Sequence, residues 1–251
     1  MYIVFGNYGN ETVALMQWLF EQKIEKPVYV VSVHTGWAAQ NWHERVASGE
    51  ALARDLGFTP VRLSSTLDFS RLIEQQQNFP STKYQWCAGF LKGLIFLDWL
   101  DSIDPSCESL ILLGKYREKS PALTTLPEFI EESEHYGERN VQHPLLHHTK
   151  EEIMALIERS GLSILNHRSL ECDPCVNNTN ADFLRLSKID IEKTATLEKK
   201  IEKPMFALEG YGDSKGIEQV IQWVKKQPKS AKVATIEIND MGCGSPFACG
   251  L

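Results

Sequence analysis

Strands alternating with helices predict an α/β protein: a parallel twisted sheet flanked by helices on both faces, with a helical C-terminal part and a flexible tail. Three observations carry that expectation. Short apolar, β-prone runs recur at residues 2–5, 28–33, 59–63 and 110–113. Segments with helical apolar spacing fall between them. Polar, glycine-bearing loops follow Phe5, Val33 and Leu113, where the crevice of such a sheet opens.

The elements read in order as follows. Tyr2-Ile3-Val4-Phe5 is the first strand. Gly6-Asn7-Tyr8-Gly9-Asn10 is a turn-forming run, and residues 11–20 continue as a helix. The strand at 28–33 ends at His34-Thr35-Gly36. A helix from about 42 to 56 stops at Gly57. Residues 59–63 form a third strand, 68–77 and 89–100 helices, and 110–113 a short buried strand ended by Gly114. Thr149 caps a helix over 150–160, with Glu152 completing a capping box. Beyond residue 165 the alternation weakens. Helices are expected over 182–201 and 215–226. Residues 228–251 read as a loose tail with one short strand at 232–238. Residues 1–180 are expected to carry the ligand sites and 181–251 to form a helical extension and tail, the two making one structural unit.

Composition narrows the class. Of 251 residues, 43% are hydrophobic and 24% charged, which is ordinary for a globular protein. A formal net charge of -7 argues against a broad nucleic-acid surface, because each phosphate contact needs a cation. The longest apolar stretch, residues 93–100, is interrupted by Asp98 and is too short to span a membrane. The start lacks the basic region of a signal peptide, so a cytoplasmic location is expected. Six cysteines in such a compartment point to metal or redox chemistry before disulfides. They stand at 87, 107, 172, 175, 243 and 249.

The loops supply the candidate ligand sites. Gly6, Asn7, Gly9, Asn10, Glu11 and Thr12 join a strand to a helix, where backbone N–H groups turn toward a phosphate. The run lacks the Gly-Lys-Ser/Thr of a Walker loop. By itself it reads equally well as an ordinary turn. His34, Thr35 and Gly36 form a second loop, and Lys115, Arg117, Lys119 and Ser120 a third, suited to an anion. Trp37 and Trp42 follow the second loop and are candidates to wall a ligand pocket. The histidines at 143, 147 and 148 read as surface or structural, and Cys107 as inert. Cys172 and Cys175 form a Cys-x-x-Cys, and Cys87 is a distant third thiol. Soft thiolates select zinc or an iron–sulfur cluster, and spacing alone leaves both open, together with a redox dithiol.

The order of these loops resembles the PAPS reductase family, within the adenine-nucleotide alpha-hydrolase (PP-loop) superfamily and nearest its cluster-bearing adenylyl-sulfate (APS) reductases. Gly9, Glu11 and Thr12 match its PP-loop, and His34-Thr35-Gly36 its Asp-Thr-Gly. Arg117-Glu118-Lys119-Ser120-Pro121 matches its arginine-rich loop, and His143-Pro144-Leu145 its Asn-Pro-Leu. Ser169-Leu170-Glu171-Cys172-Asp173-Pro174-Cys175 resembles Ser-Ile-Gly-Cys-x-Pro-Cys, and Cys249-Gly250-Leu251 its C-terminal Glu-Cys-Gly-Leu-His. The chain departs from the pattern at His34, at Asn10, at Trp86-Cys87 in place of tandem cysteines, and in the tail.

The resemblance implies an enzyme with a 4Fe-4S cluster on Cys87, Cys172 and Cys175, zinc being the alternative, and an adenine nucleotide (APS, PAPS or ATP) as substrate. Cys243 is a candidate fourth ligand or resolving thiol; without it one iron is open. Lys92 matches a family lysine near the cluster, against the plain reading of an exposed helix lysine. The implied reaction is thiol-dependent reduction of adenylyl sulfate or PAPS to sulfite, with Cys249 as nucleophile and thioredoxin or another thiol as reductant. An ATP-dependent sulfurtransferase acting on tRNA or a small molecule is the first alternative. A non-catalytic nucleotide or redox sensor is the second. A nucleic-acid partner is not favoured, no membrane partner is expected, and a homo-oligomer is left open.

Overall fold

A computed structural model describes residues 1–82, 84–206, 216–226 and 247. Its centre is a six-stranded sheet in the order β3-β2-β1-β4-β6-β5. The strands are β1 (Tyr2–Phe5), β2 (Val28–His34), β3 (Thr59–Ser64), β4 (Leu110–Leu112), β5 (Phe129–Ser133) and β6 (Arg139–Gln142). All neighbours pair in parallel except β5, which runs antiparallel to β6 at the edge. The chain steps outward from β1 to β2 to β3, then returns to place β4 on the other side of β1. That reversal makes the C-terminal ends of β1 and β4 a topological switch point, where α/β sheets open a ligand crevice.

Strand periodicity builds the layers. Val4, Val30 and Leu112 point to one face, among Val13, Leu15, Leu52, Ile153 and Leu156. Their helices are α1 (Asn10–Glu21), α2 (Trp42–Asp55) and α6 (Lys150–Arg159). Ile3, Val31 and Ile111 point to the opposite face, onto Phe96 and Leu100 of α5 (Leu94–Ile103). Burying the strands on both faces explains their nearly continuous apolar sequences. The α6 capping box is present as expected: Glu152 N–H donates to Thr149 Oγ1 and Thr149 N–H to Glu152.

A second apolar cluster joins α3 (Phe69–Gln76), α7 (Asn180–Arg185), α8 (Lys188–Ile201) and α9 (Ile217–Lys226) to Trp37 and Leu91. The single helix expected over 182–201 is two helices, because Ser187 adopts extended backbone and caps α8 through the Asp190 N–H. The helix expected over 89–100 is longer and irregular. It starts as α4 (Trp86–Ala88), passes through a π-helical turn at Gly89–Gly93, and continues as α5.

Strands β5 and β6 carry no alternating apolar pattern and were not expected. Strand β6 is held by an ion-paired core: Arg139, fully buried, donates to Asp104 Oδ2 at 2.9 Å and to Asp101 Oδ1 at 3.1 Å. The expected strand at 232–238 and most of the expected flexible tail lie outside the described residues. Phe247 is the exception. It is buried, edge-on to Phe5 and Tyr136, and a Cβ on Gly93 would come within 2.5 Å of its ring. Among the described residues no helix is long and apolar enough to cross a membrane.

Candidate functional site

The loop after β1 folds on its own side chains. Thr12 Oγ1 accepts from the Asn7 N–H at 3.2 Å, and Asn7 Oδ1 accepts from the Gly9 N–H at 2.9 Å. Only glycine fits at position 6, since a Cβ there would collide with Thr12 Oγ1. Tyr8 holds a left-handed backbone, φ 61, with its carbonyl accepting from Arg45 Nε at 2.8 Å. A bulky residue in that conformation marks a loop whose shape is enforced by its surroundings. Gly9 caps α1 in extended conformation and offers no side-chain acceptor to the first-turn N–H groups. That leaves the helix entrance chemically suited to an anion.

The other two loops close around it. The loop after β4 passes so near that a Cβ on Gly114 would lie 2.5 Å from the Glu11 carbonyl oxygen. Lys119 pairs with Glu11, and Arg117 donates to the Leu126 carbonyl at 3.3 Å. Lys119 and Arg117, both expected to hold an anion, therefore have protein partners. The Ser120 N–H donates to the Arg117 carbonyl at 3.4 Å, completing a tight turn. The Asn10 side chain clamps the Leu165 backbone, donating to its carbonyl at 2.8 Å and accepting from its N–H at 2.9 Å. His34 is exposed at the end of β2, while Thr35 is buried beside it. Gly36 has φ 71 and lies against Asp68, the cap of α3, so the second loop needs a glycine there.

Thr35 leads to the thiols. Its Oγ1 donates to the Glu171 carbonyl at 2.7 Å and lies 3.3 Å from Cys172 Sγ. The 170–175 segment docks along residues 35–39, with Ala39 N–H donating to Leu170, Asp173 N–H to Trp37, and Trp37 Nε1 to Pro174. From the other side, Gln85 and Asn177 exchange two amide hydrogen bonds at 3.2 Å, fixing the Cys87 helix to the Cys175 loop. As a result Cys87, Cys172 and Cys175 line one cavity. All three are partly buried, whereas Cys107 is exposed. Among the described residues no three His, Cys, Asp or Glu side chains are gathered closely enough to hold a metal ion. Cys243 and Cys249 lie outside the described residues.

Of three polar side chains in this region, Lys92 was a candidate from the resemblance, and Glu171 and Arg168 were not singled out in the sequence. Lys92 is buried, not an exposed helix lysine; it sits in the π-helical turn, an irregularity that often marks functional sites. Its ammonium donates to Glu171 Oε1 at 2.6 Å, and Asn7 Nδ2 donates to the same oxygen at 2.9 Å. One carboxylate thus joins the β1 loop, the Cys87 helix and the Cys-x-x-Cys segment. Arg168 also lines the cavity and donates to the Cys172 carbonyl and to Asn178. Burial would lower its affinity for a proton, but the Cys175 sulfur, Asp182 and Asp173 outweigh that and raise it. Glu171 stands inside the quoted motif, but nothing in the sequence marked it as buried; Arg168 had no signal beyond proximity.

His143, at the end of β6, is a structural group as expected. It is buried with Nδ1 2.8 Å from the Pro127 carbonyl oxygen. Burial, helped by the Lys115 charge, lowers its pKa from 6.5 to about 4. Protons therefore bind the unfolded chain in preference between those values, so this contribution to stability is complete above pH 6.5 and shrinks toward pH 4. His143→Gln is expected to flatten the fall of the denaturation midpoint across that window, measured by urea unfolding at several pH values. An unchanged slope would contradict it.

No protein-family model matches the sequence, and no curated protein matches it. Several solved structures are similar in backbone course at low identity. A phosphoadenylyl-sulfate (PAPS) reductase from Candida auris, in a phosphate complex, has 11% identity and a TM-score of 0.46, over 65% of this chain and 74% of that one. The U34-tRNA thiolase NcsA from Methanococcus maripaludis, with its 4Fe-4S cluster, has 13% identity and a TM-score of 0.47, over 94% and 76%. An NMN synthetase from Francisella tularensis has 9% identity and a TM-score of 0.48, over 80% and 83%.

Proposed function

We propose that the chain is an adenine-nucleotide-dependent enzyme of sulfur chemistry whose cysteines hold an iron–sulfur cluster. The observation that carries this reading is the joining of the β1 loop to a three-thiol cavity through Glu171, within hydrogen-bond distance of both Asn7 and Lys92. The donor set fits the cluster: three soft thiols from two distant segments line one cavity, with Arg168 and Lys92 at its wall. A bound cluster would supply an iron with no cysteine ligand among the described residues, a soft Lewis acid for sulfur if Cys243 does not take that place.

ATP-dependent sulfur transfer is the reaction the geometry supports best. A substrate carbonyl oxygen attacks the α-phosphorus of ATP, and the α–β P–O bond breaks to release pyrophosphate. Sulfide then adds to the activated carbon, and AMP leaves with the oxygen. Here the β1 loop and α1 N-terminus hold the phosphates, Thr35 orients the Cys172 thiol, and the apolar side chains of Trp37, Phe69 and Leu91 exclude water from the cavity.

Thiol-dependent reduction of an adenylated sulfate is the second reading. One observation favours it: Phe247, two residues before Cys249, is buried against Gly93, next to Lys92 in the chain. That reaction would form a bond from Cys249 Sγ to the sulfate sulfur, break its S–O bond so that AMP leaves, and free sulfite when an external thiol attacks Cys249 Sγ to form a disulfide.

Anaerobic protein supplied separately with ATP and with adenylyl sulfate distinguishes the two. Pyrophosphate from ATP, dependent on acceptor and sulfide, supports sulfur transfer. Sulfite and AMP from adenylyl sulfate support reduction. Turnover of neither nucleotide would overturn the enzymatic reading.

A further inference from the structure

We infer that Glu171 is a specificity-determining residue: by holding the Lys92 ammonium it closes the thiol cavity to an anionic reacting group, selecting adenine nucleotides whose reacting end is uncharged over those that end in sulfate. This rests on the nucleotide reading above and names the substrate class of the same site.

The charges around the cavity support it. Two of its lining residues are cationic, Lys92 and Arg168. Lys92 Nζ lies 2.6 Å from Glu171 Oε1, with the two side chains 5% and 6% exposed. Arg168 faces Asp173 at 3.7 Å and Asp182 at 3.6 Å, and donates to the Cys172 carbonyl at 3.4 Å. The rest of the wall is largely apolar, including Trp37, Phe69 and Leu91. A sulfate entering such a space loses its hydration and needs a cation whose charge is not already cancelled. The Glu171 carboxylate stands behind that wall, 2.6 Å from the Lys92 ammonium, and its charge opposes a second anion there. Asn7 adds its amide to the same carboxylate oxygen, so the pair is braced on the side of the β1 loop. An uncharged group carries neither penalty.

Two variants test it. Glu171→Gln keeps an oxygen that accepts from Asn7 and Lys92 but removes the charge, and Glu171→Gly removes the side chain. Equilibrium binding of adenylyl sulfate and of AMP is measured by calorimetry on anaerobic, full-length protein, with folding checked by circular dichroism. The ratio of the two affinities is the readout, because a purely structural role would change both together. The wild type is expected to bind adenylyl sulfate no tighter than AMP. Each folded variant is expected to shift the ratio toward adenylyl sulfate by about tenfold or more, the effect of one unit charge in a poorly hydrated site. AMP binding with an unchanged ratio in both variants overturns this inference alone. A wild type that prefers adenylyl sulfate also overturns it. Failure of the wild type to bind AMP or ATP overturns the nucleotide reading and this inference with it.

Discussion

Cys172→Ala is expected to abolish retention of iron. Cys172 stands where the docked 170–175 segment meets the β2 loop, its sulfur 3.3 Å from Thr35 Oγ1. It shares the cavity with Cys87 and Cys175, and no further cysteine lines that cavity among the described residues. A cluster held by so few protein ligands has none to spare. Losing one should exceed the ~10–100-fold effect typical of losing an outer-shell partner. Iron and sulfide after anaerobic reconstitution should therefore fall to background in Cys172→Ala, and equally in Cys87→Ala and Cys175→Ala. The control is Cys107→Ala. Cys107 is exposed in the turn between α5 and β4, with its N–H donating to the Asp104 carbonyl, and its loss should leave iron content unchanged. Full iron in Cys172→Ala would remove the cavity from the account.

Asp104→Ala is expected to cost about 3–5 kcal/mol of stability, the range found when one partner of a buried ion pair is removed. Arg139 is completely buried at the start of β6. Asp104 Oδ2 accepts from its Nε at 2.9 Å, and the Asp104 carbonyl accepts from Nη2 at 2.6 Å. The same carboxylate accepts from the Ser109 and Glu108 N–H groups, fixing the turn that feeds β4. Burial pushes the Asp104 carboxyl up, but the Arg139 guanidinium and those N–H groups outweigh it and hold the carboxyl below its usual range. A depressed carboxyl stabilises the fold above its unfolded pKa, and that contribution is lost as pH falls through the folded value. Urea unfolding at neutral pH should show the loss as a lower midpoint. Adding Arg139→Met should recover part of it, because the uncompensated charge is then gone. A change under ~1 kcal/mol in Asp104→Ala would show that the pair contributes little.

What could be read from the sequence follows the physics of each element. Strands β1, β2 and β4 were legible because they are central and mostly buried, so their residues are largely apolar, while β3 is an edge strand legible from Val61 and Leu63. The α6 start was legible because Thr149 and Glu152 form a local box that needs no tertiary context. Strand β6 was not, since Arg139-Asn140-Val141-Gln142 is polar and its central charge is satisfied by Asp101 and Asp104, far away in sequence. The break at Leu186-Ser187 was hidden by helix-compatible residues on either side. In the site, the Cys-x-x-Cys and Cys87 could be paired on residue type. The burial of Lys92 could not, because it depends on the π-helical turn and on Glu171, 79 residues away. Asn7 and Asn10 were placed in a phosphate loop, yet their side chains reach Glu171 and Leu165, contacts that only the folded chain creates.

The central claim is that the three-thiol cavity holds an iron–sulfur cluster beside a nucleotide site. Its most direct test is anaerobic purification of the full chain, with iron, sulfide and zinc measured against protein and an absorption spectrum recorded. The account predicts about four irons and four sulfides per chain, with a broad absorption band that bleaches on exposure to air. One equivalent of zinc with no iron would contradict it.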